Sequence, residues 1–285
     1  MKFLFHHAKR VNARMSVWIV LLAALLGACR TADPRPDPEE NPGGEPPPTG
    51  QVQRLRRITW APTDYQEYAY NADGLLAQYT AQWLFVAGTD QVKRLETVFA
   101  YDSQRRLVST TTNGGPPVRY FYRGNTLHRT EEYDRQGKLY LTHYYAFEGG
   151  QRLSQRRDVY AYGNEVRTTY HYGPGNNLAV EKIYQENDST GELEFAFSIH
   201  YEGFDDKKNP EATTVLQPYL PGVALWANNY TLKTLRGKRG EPLQPARQYA
   251  FTYNEAGYPL QKTVKSLEGE AAPVLLATYA YEDRP

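Results

Sequence analysis

The feature that most constrains this fold is a short turn that recurs along the chain, with a tyrosine before it and, in most copies, a leucine after it. Copies occupy residues 70–76, 133–139 and 253–259, and a degenerate copy occupies 101–107. Asn or Asp follows the tyrosine, and glycine stands three residues later in the first three copies. Because an Asx side chain bonds the backbone ahead and glycine accepts positive φ, the pattern predicts a type I turn closed by a left-handed residue.

Two copies depart from this pattern at one position each. Arg105 takes the glycine position of the degenerate copy, where a left-handed conformation costs about 1 kcal/mol. Pro259 takes the leucine position of the copy at 253–259. Both copies keep the tyrosine and the Asx residue, and we count both as hairpin turns.

The stretches that flank these turns alternate as half-buried antiparallel strands do. Aromatic residues stand at i and i+2, hence on one face of a pleated strand. The outgoing stretch 139–147 alternates in the same way, which places Leu139 and Leu141 on one face. The aromatic pairs are Tyr68 with Tyr70, Phe99 with Tyr101, Tyr120 with Tyr122, Tyr145 with Phe147, Tyr160 with Tyr162, Tyr170 with Tyr172, Phe195 with Phe197, Tyr249 with Phe251, and Tyr279 with Tyr281.

These strands predict an all-β domain. We expect an antiparallel β-meander of about fifteen strands, on the basis of this alternation and its turns. A twisted open sheet of that size would leave its aromatic face wet and its edge strands unpaired. The meander is therefore expected to be curled into a barrel or half-barrel, with a two-layer sandwich as the alternative.

One stretch breaks the alternation and predicts a short helical or irregular insertion. It covers residues 204–229 and contains Pro210, Pro218 and Pro221. Its apolar anchors are Leu216, Leu220, Leu225 and Trp226. An insertion of this length inside a meander is either a plug or lid, or a loop that packs over one open end of the sheet.

The N-terminus predicts export. Residues 1–28 combine a positive n-region with an apolar run at 17–26, which is too short to span a ~30 Å hydrocarbon core comfortably. The small pair before Cys29 resembles the lipobox of bacterial lipoproteins. That resemblance implies a signal peptide over 1–28 and lipidation of Cys29, the new N-terminus. An ordinary secretory signal and a membrane-spanning helix are the alternatives.

The segment after Cys29 predicts a spacer. Residues 29–50 hold seven prolines, a composition typical of a disordered tether that cannot build a core. Residues 51–285 then form a single all-β domain. Arg30 stands where an aspartate would signal retention in the inner membrane, so the lipoprotein resemblance implies the outer membrane. Whether the domain faces the periplasm or the cell surface is left open.

Charge and cysteine content exclude several function classes. Removing residues 1–28 leaves 29 Lys and Arg against 32 Asp and Glu, which does not favour binding to a nucleic-acid backbone. Cys29 is the only cysteine. With its thiol acylated, disulfides, cysteine nucleophiles and thiolate metal ligands are all excluded.

Two resemblances to known proteins follow from these motifs. The tyrosine–aspartate turns resemble the YD repeats of large bacterial shell proteins. The ordered set Tyr201–Pro210, Asn228 with Asn229, and Phe251–Pro259 resembles a family of uncharacterised envelope lipoproteins of Bacteroidetes-type bacteria, a domain of unknown function. The resemblance covers about residues 60–282 and implies an all-β domain behind a lipobox, with no catalytic residues.

No motif predicts catalysis, a metal or a cofactor. The chain lacks a Gly-x-Ser-x-Gly elbow, a phosphate-binding glycine loop and a zinc helix. We expect the domain's histidines to face solvent or the core edge, because no two of them have metal-ligand spacing. They are His128, His143, His171 and His200.

Aromatic residues are the one feature abundant enough to indicate recognition. Most are expected to form the core or cross-strand ladders. Tyr140 and Tyr144 face away from Leu139 and Leu141, and they are the candidates for exposed rings that stack on a ligand such as a sugar.

The sequence therefore predicts an outer-membrane-anchored lipoprotein with a non-catalytic β-meander domain that binds a ligand or partner, such as a glycan or an envelope protein. One alternative is a carrier that encloses a lipid or another apolar molecule. The other is a glycan hydrolase that uses two carboxylates, whose spacing is a property of the fold.

Lipidation is tested by replacing the single cysteine. Because acyl chains hold such a protein to a bilayer, Cys29→Ser is expected to move it from the detergent phase to the aqueous phase in Triton X-114 partitioning. Mass spectrometry of the wild-type N-terminal peptide is expected to show acylated Cys29. Retention of Cys29→Ser in the detergent phase would contradict lipid anchoring.

Overall fold

The computed structural model describes residues 53–86, 89–149, 152–268 and 272–283. The predicted signal peptide, Cys29 and the tether lie outside these ranges. The described chain forms sixteen strands and two short 3₁₀ helices, Pro174–Asn176 and Pro210–Thr213. The strands are β1 (Gln53–Ala61), β2 (Asp64–Tyr70), β3 (Leu76–Leu84), β4 (Val92–Tyr101), β5 (Leu107–Thr112), β6 (Pro117–Arg123), β7 (Thr126–Tyr133), β8 (Leu139–Glu148), β9 (Arg152–Tyr160), β10 (Glu165–Tyr172), β11 (Leu178–Glu186), β12 (Leu193–Lys208), β13 (Asn228–Arg236), β14 (Arg247–Tyr253), β15 (Pro259–Ser266) and β16 (Val274–Asp283).

The strands close into one antiparallel barrel. Each pairs with its neighbours in the sequence, and β1 pairs with β16, with Gln53 opposite Asp283. Closure pairs the two edges that an open sheet would leave exposed. The prediction of an all-β meander curled into a barrel is confirmed, with sixteen strands rather than about fifteen.

The recurring turns form as their Asx residues dictate. Asn71 accepts the Gly74 amide through its backbone carbonyl at 2.9 Å and the Leu75 amide through its side chain at 3.0 Å. Gly74 has a φ of 75°, which a glycine adopts at no steric cost. Arg105 adopts a φ of 63° at the equivalent position, so the degenerate copy makes the same turn with a residue that disfavours it.

The turns divide between two ends of the barrel. Turns after even-numbered strands lie at one end, together with the start of β1 and the end of β16. We call this the plugged end, and the opposite end, where turns follow odd-numbered strands, the far end. Three of the four recurring turns lie at the plugged end, and the copy at 133–139 lies at the far end.

This far-end copy overturns one sequence expectation. Leu139 was expected on the same face as Leu141, but Leu141 is buried, whereas Leu139 is 39% exposed and lies opposite Tyr133. The reason is a β-bulge: Leu141 pairs with Glu132, and Tyr140 is the extra residue between the two pairs. One added residue reverses the alternation of a strand.

Inward tyrosines at the plugged end are bonded to the backbone of the neighbouring hairpin. Each lies at or near the end of its strand, and each donates its hydroxyl to the carbonyl of an inward apolar residue on another strand. A buried hydroxyl without a partner would cost about 1–3 kcal/mol, so these bonds make large rings tolerable inside the barrel. They are Tyr70 to Leu55 (2.8 Å), Tyr101 to Leu76 (2.8 Å), Tyr122 to Leu107 (3.0 Å) and Tyr281 to Pro259 (2.7 Å).

The irregular insertion is a plug at this end. Its irregular part covers residues 209–227, narrower than the predicted 204–229, because β12 continues through Lys208 and β13 begins at Asn228. The Trp226 indole donates to the Leu178 carbonyl at 3.1 Å, and the Leu178 amide donates to the Leu225 carbonyl at 2.9 Å. The plug's buried side chains are Ala212, Leu216, Leu220, Val223, Leu225 and Trp226.

The plug packs on the inward rings of the barrel wall. Tyr219 makes an edge contact with Phe99, with ring centroids 5.4 Å apart. Trp226 packs against Tyr201 at 4.9 Å and against Tyr230 at 5.3 Å. One continuous core therefore joins the plug to strands on opposite sides of the barrel.

The outer face carries charged side chains in ion pairs. Arg57 on β1 lies 2.8 Å from Glu67 on β2, and Glu165 pairs with Arg157 at 2.6 Å and with Arg167 at 3.0 Å. These charged side chains make the outer face hydrophilic at β1, β2, β9 and β10. Neither short helix of the described chain has the length or the hydropathy that crossing a bilayer requires.

The tyrosine bonds predict a measurable stability difference. Tyr101→Phe removes one hydroxyl and leaves the Leu76 carbonyl without that donor, so the free energy of unfolding is expected to fall by about 1 kcal/mol. Tyr184→Phe is the control, because Tyr184 lies on the outer face against Phe195. Equal denaturant midpoints for the two variants would contradict a structural role for the bonds.

Candidate functional site

The inner face of the barrel carries a cluster of charged side chains on β7, β8 and β9. His143 is 4% exposed. Its Nδ1 lies 2.7 Å from Asp158 Oδ1, and its Nε2 lies 2.9 Å from Glu132 Oε1. Arg156 Nε lies 3.0 Å from the same Asp158 oxygen. We call these four residues the histidine cluster.

Electrostatics in this cluster favour a doubly protonated imidazole. Burial alone would lower the pKa of His143, but hydrogen bonds to Asp158 and Glu132 outweigh it and raise the pKa above its usual value. Burial also opposes ionisation of Asp158, yet Arg156 and His143 together hold the pKa of this carboxyl below its usual value. An imidazolium and a guanidinium therefore balance two carboxylates.

A second group of inward charges lies on β11 and β13. The Tyr201 hydroxyl donates to Glu181 Oε1 at 2.9 Å. Burial raises the pKa of the Glu181 carboxyl, although Tyr201 and Lys233 favour its charged form. Lys233 and Glu181 are enclosed by the barrel wall but keep part of their side-chain surface accessible. Both side chains face the interior of the barrel, since Glu181 lies opposite Tyr170 and Lys233 lies opposite Tyr201.

A third group bonds the plug to the wall. Glu211 of the plug accepts a hydrogen bond from the Tyr279 hydroxyl and lies 3.3 Å from Lys262 Nζ. Burial alone would lower the pKa of Lys262, but Glu211 and the rings of Tyr230 and Tyr249 outweigh it and raise the pKa. The Lys262 ammonium lies 5.0 Å from the centre of the Tyr249 ring, a cation–π contact in a desolvated site.

At the far end, two turns enclose a shallow groove. It has a volume of about 190 Å³ and is lined by Asp134, Lys138, Leu139, Tyr140, Ala161 and Tyr162. We call it the rim groove. Tyr140 packs edge-on against Tyr160 at 5.9 Å, and Tyr162 stacks on Tyr160 at 5.2 Å. Tyr162 is 60% exposed, so its ring is available at the surface.

The two predicted stacking residues lie in different places. Tyr140 lines the rim groove. Tyr144 lies further along β8, where its strand neighbours are Arg129 and Arg157. Its ring meets the edge of His128 at 6.0 Å and lies under the Arg157 guanidinium at 5.8 Å. The structure therefore does not bring Tyr140 and Tyr144 together.

The histidine cluster was missed from the sequence. His143 was expected to face solvent or the core edge, and it instead lies inside the barrel between two carboxylates. Its partners come from β7 and β9, and only their registers place them opposite His143. Inward charges at Glu132, Asp158 and Arg156 within alternating strands were the available signal, since buried charges require partners.

The arrangement limits the chemistry that these groups can perform. An imidazolium with both nitrogens bonded to carboxylates has no free lone pair, so it cannot accept a proton as a general base. Asp158 is held by both His143 and Arg156. In the part of the chain that the structure describes, no group of three or more His, Cys, Asp or Glu side chains has the geometry to hold a metal ion.

Comparisons with known proteins show likeness in fold. No protein-family model matches the chain, and no curated protein is significantly similar to it. A porin-like protein from Bacteroides uniformis superposes with a TM-score of 0.54 and 14% identity, covering 80% of this chain and 96% of that one. Another from Bacteroides vulgatus has a TM-score of 0.53 and 10% identity, with 80% and 99% covered.

The histidine cluster predicts a pH-dependent stability. Because the folded-state pKa of His143 is raised, its contribution is complete below about pH 6.5, the value of a free histidine, and is lost as pH rises through the folded pKa. At pH 6, His143→Gln leaves one of the two carboxylates without a compensating charge and is expected to cost about 3–5 kcal/mol. The difference from wild type is expected to shrink at pH 9.

Urea unfolding at both pH values measures this difference. His171→Gln is the matched control, because His171 is exposed on the outer face and bonds Thr169 at 3.0 Å. A His143→Gln deficit that is the same at pH 6 and pH 9 would show that His143 is neutral in the folded protein.

Proposed function

We propose that this protein is an outer-membrane lipoprotein, anchored through Cys29, whose barrel is a non-catalytic binding domain. Its ligand is a sugar ring held in the rim groove. The observation that carries this proposal is the pairing of Tyr140 and Tyr162 with Asp134 and Lys138 around one small concave surface.

The composition of the rim groove suits a sugar. The apolar faces of a pyranose stack on aromatic rings, while its hydroxyls bond carboxylate and ammonium groups. At about 190 Å³ the groove is smaller than the ~300–1,000 Å³ of sites for drug-sized ligands. It accommodates one ring, so a polymer would bind by one residue or by its end.

The topology orients this groove. An even number of strands returns the chain to its starting end, and Gln53 lies opposite Asp283 at the plugged end. The rim groove belongs to the opposite end of the barrel, away from Gln53 and Asp283.

The outer face supports a tethered barrel rather than one embedded in lipid. A transmembrane barrel presents an apolar band about 25 Å tall to the bilayer. Here the wall carries ion pairs such as Arg57 with Glu67 and Arg157 with Glu165, which favour water. Likeness in fold to barrels from Bacteroides agrees with the envelope location that the lipobox implies.

The interior disfavours the two alternative functions. A lipid carrier needs an apolar cavity, whereas the plug and its aromatic contacts occupy the plugged end, and charged side chains line the wall beyond them. A hydrolase needs one protonated and one free carboxyl group. Glu132 and Asp158 are near one another, but both are bonded to His143.

Sugar binding is tested with variants of the two tyrosines on β8. Stacking contributes about 1 kcal/mol per ring, so Tyr140→Ala is expected to weaken binding of any glycan retained on an array by about fivefold or more. Tyr144→Ala is the matched control, because its ring lies outside the groove. Isothermal titration with the retained glycan measures both.

Two outcomes would overturn the proposal. One is that no glycan is retained by the wild-type protein. The other is equal weakening by Tyr140→Ala and Tyr144→Ala, which would place the ligand on the outer wall instead of in the rim groove.

A further inference from the structure

The barrel wall has one short seam. Strands β13 and β14 pair only through Leu232 with Gln248 and Lys233 with Arg247. By contrast, β14 pairs with β15 along its whole length, Arg247–Tyr253. Two cations therefore lie directly opposite each other in the least-paired part of the described wall, where like charges are destabilising.

Both cations belong to the inner face. Lys233 also lies opposite Tyr201, and its ammonium is 5.8 Å from the centre of that buried ring. Arg247 lies two residues before Tyr249, another inward ring, on β14, so both side chains are on the same face. The side chains of this cross-strand pair thus extend into the barrel interior that Glu181 also faces.

Lys233 lacks an anionic partner. Among the described residues, no carboxylate forms an ion pair with its ammonium. Glu181 is bonded to Tyr201, and Glu211 is bonded to Tyr279 and Lys262. Burial lowers the pKa of Lys233; Glu181 and Glu211 raise it, and Lys262 and Arg247 lower it.

We propose that Lys233 and Arg247 form an anion-binding site on the inner wall, which takes the carboxylate or phosphate group of a small ligand. An ammonium and a guanidinium are the two side chains that bind such oxyanions best, through charge-assisted hydrogen bonds. An oxyanion between them places a negative charge at the point where the two cations lie opposite each other. It also gives Lys233 the partner that the wall does not supply.

The far end provides the entry. The plug occupies the other end, and inward side chains near the far end, such as Trp60 and Val274, are exposed. A small anion therefore reaches Lys233 from the end that carries the rim groove. This site lies on β13 and β14, the groove lies on the turns around β8, and neither requires the other.

The test uses inorganic phosphate as the probe, with the full-length protein at constant ionic strength. Thermal unfolding of wild type is expected to show a saturable rise in melting temperature with phosphate. Lys233→Met keeps the length of the side chain and removes its charge, so the apparent Kd is expected to weaken by about 10- to 100-fold. Glucuronate, run in parallel, distinguishes a carboxylate ligand from a phosphate.

The controls keep the outcome decisive. Lys182→Met on the outer face is expected to respond as wild type does, and Lys233→Arg is expected to retain the response because it keeps the charge. Without ligand, Lys233→Met is expected to melt no lower than wild type, since a like-charge contact is gone. The proposal is overturned if neither anion gives a saturable response, or if Lys233→Met responds as strongly as Lys182→Met.

Discussion

The hydrogen bond from an inward tyrosine to the backbone of another hairpin is the interaction on which the barrel depends. Sixteen strands enclose an interior that wide membrane barrels leave filled with water. Here rings as large as Tyr101 and Tyr122 extend into it, and each hydroxyl donates to a backbone carbonyl. Leucine lacks the polar tip for this and phenylalanine lacks the donor, which explains the tyrosine before the turns at Tyr70 and Tyr101; Tyr133 and Tyr253 bond carboxylates instead.

Ion pairs inside the barrel differ from ion pairs on its outer face in how much their loss destabilises the protein. Outer pairs such as Arg57 with Glu67 are exposed to water and contribute little individually. The histidine cluster and the bond between Glu211 and Lys262 are removed from water, where breaking one partner is costly. These inner pairs join β7, β8 and β9 to one another and join the plug to β15.

Strands and turns could be predicted from the sequence because they depend on local periodicity. Cross-strand partners could not, because they depend on the register between strands. Alternation and Asx turns predicted an all-β meander and its closure, and proline content located the insertion to within a few residues. The facing of Leu139 was wrong because a bulge at Tyr140 is invisible without the partner strand. The prediction for His143 was wrong for a similar reason. Its partners Glu132 and Asp158 lie on two other strands, and their spacing along the chain does not indicate that they meet His143.

Because Gln53 lies opposite Asp283, β1 and β16 pair with each other as the two strands of any other hairpin in the barrel do. Joining these two residues by a short turn would complete a ring in which no strand is first, and the chain could then be cut at any turn. A cut at a far-end turn, such as that between β13 and β14, would move both termini to the opposite mouth. The plug, held between β12 and β13, would then lie at the end opposite both termini.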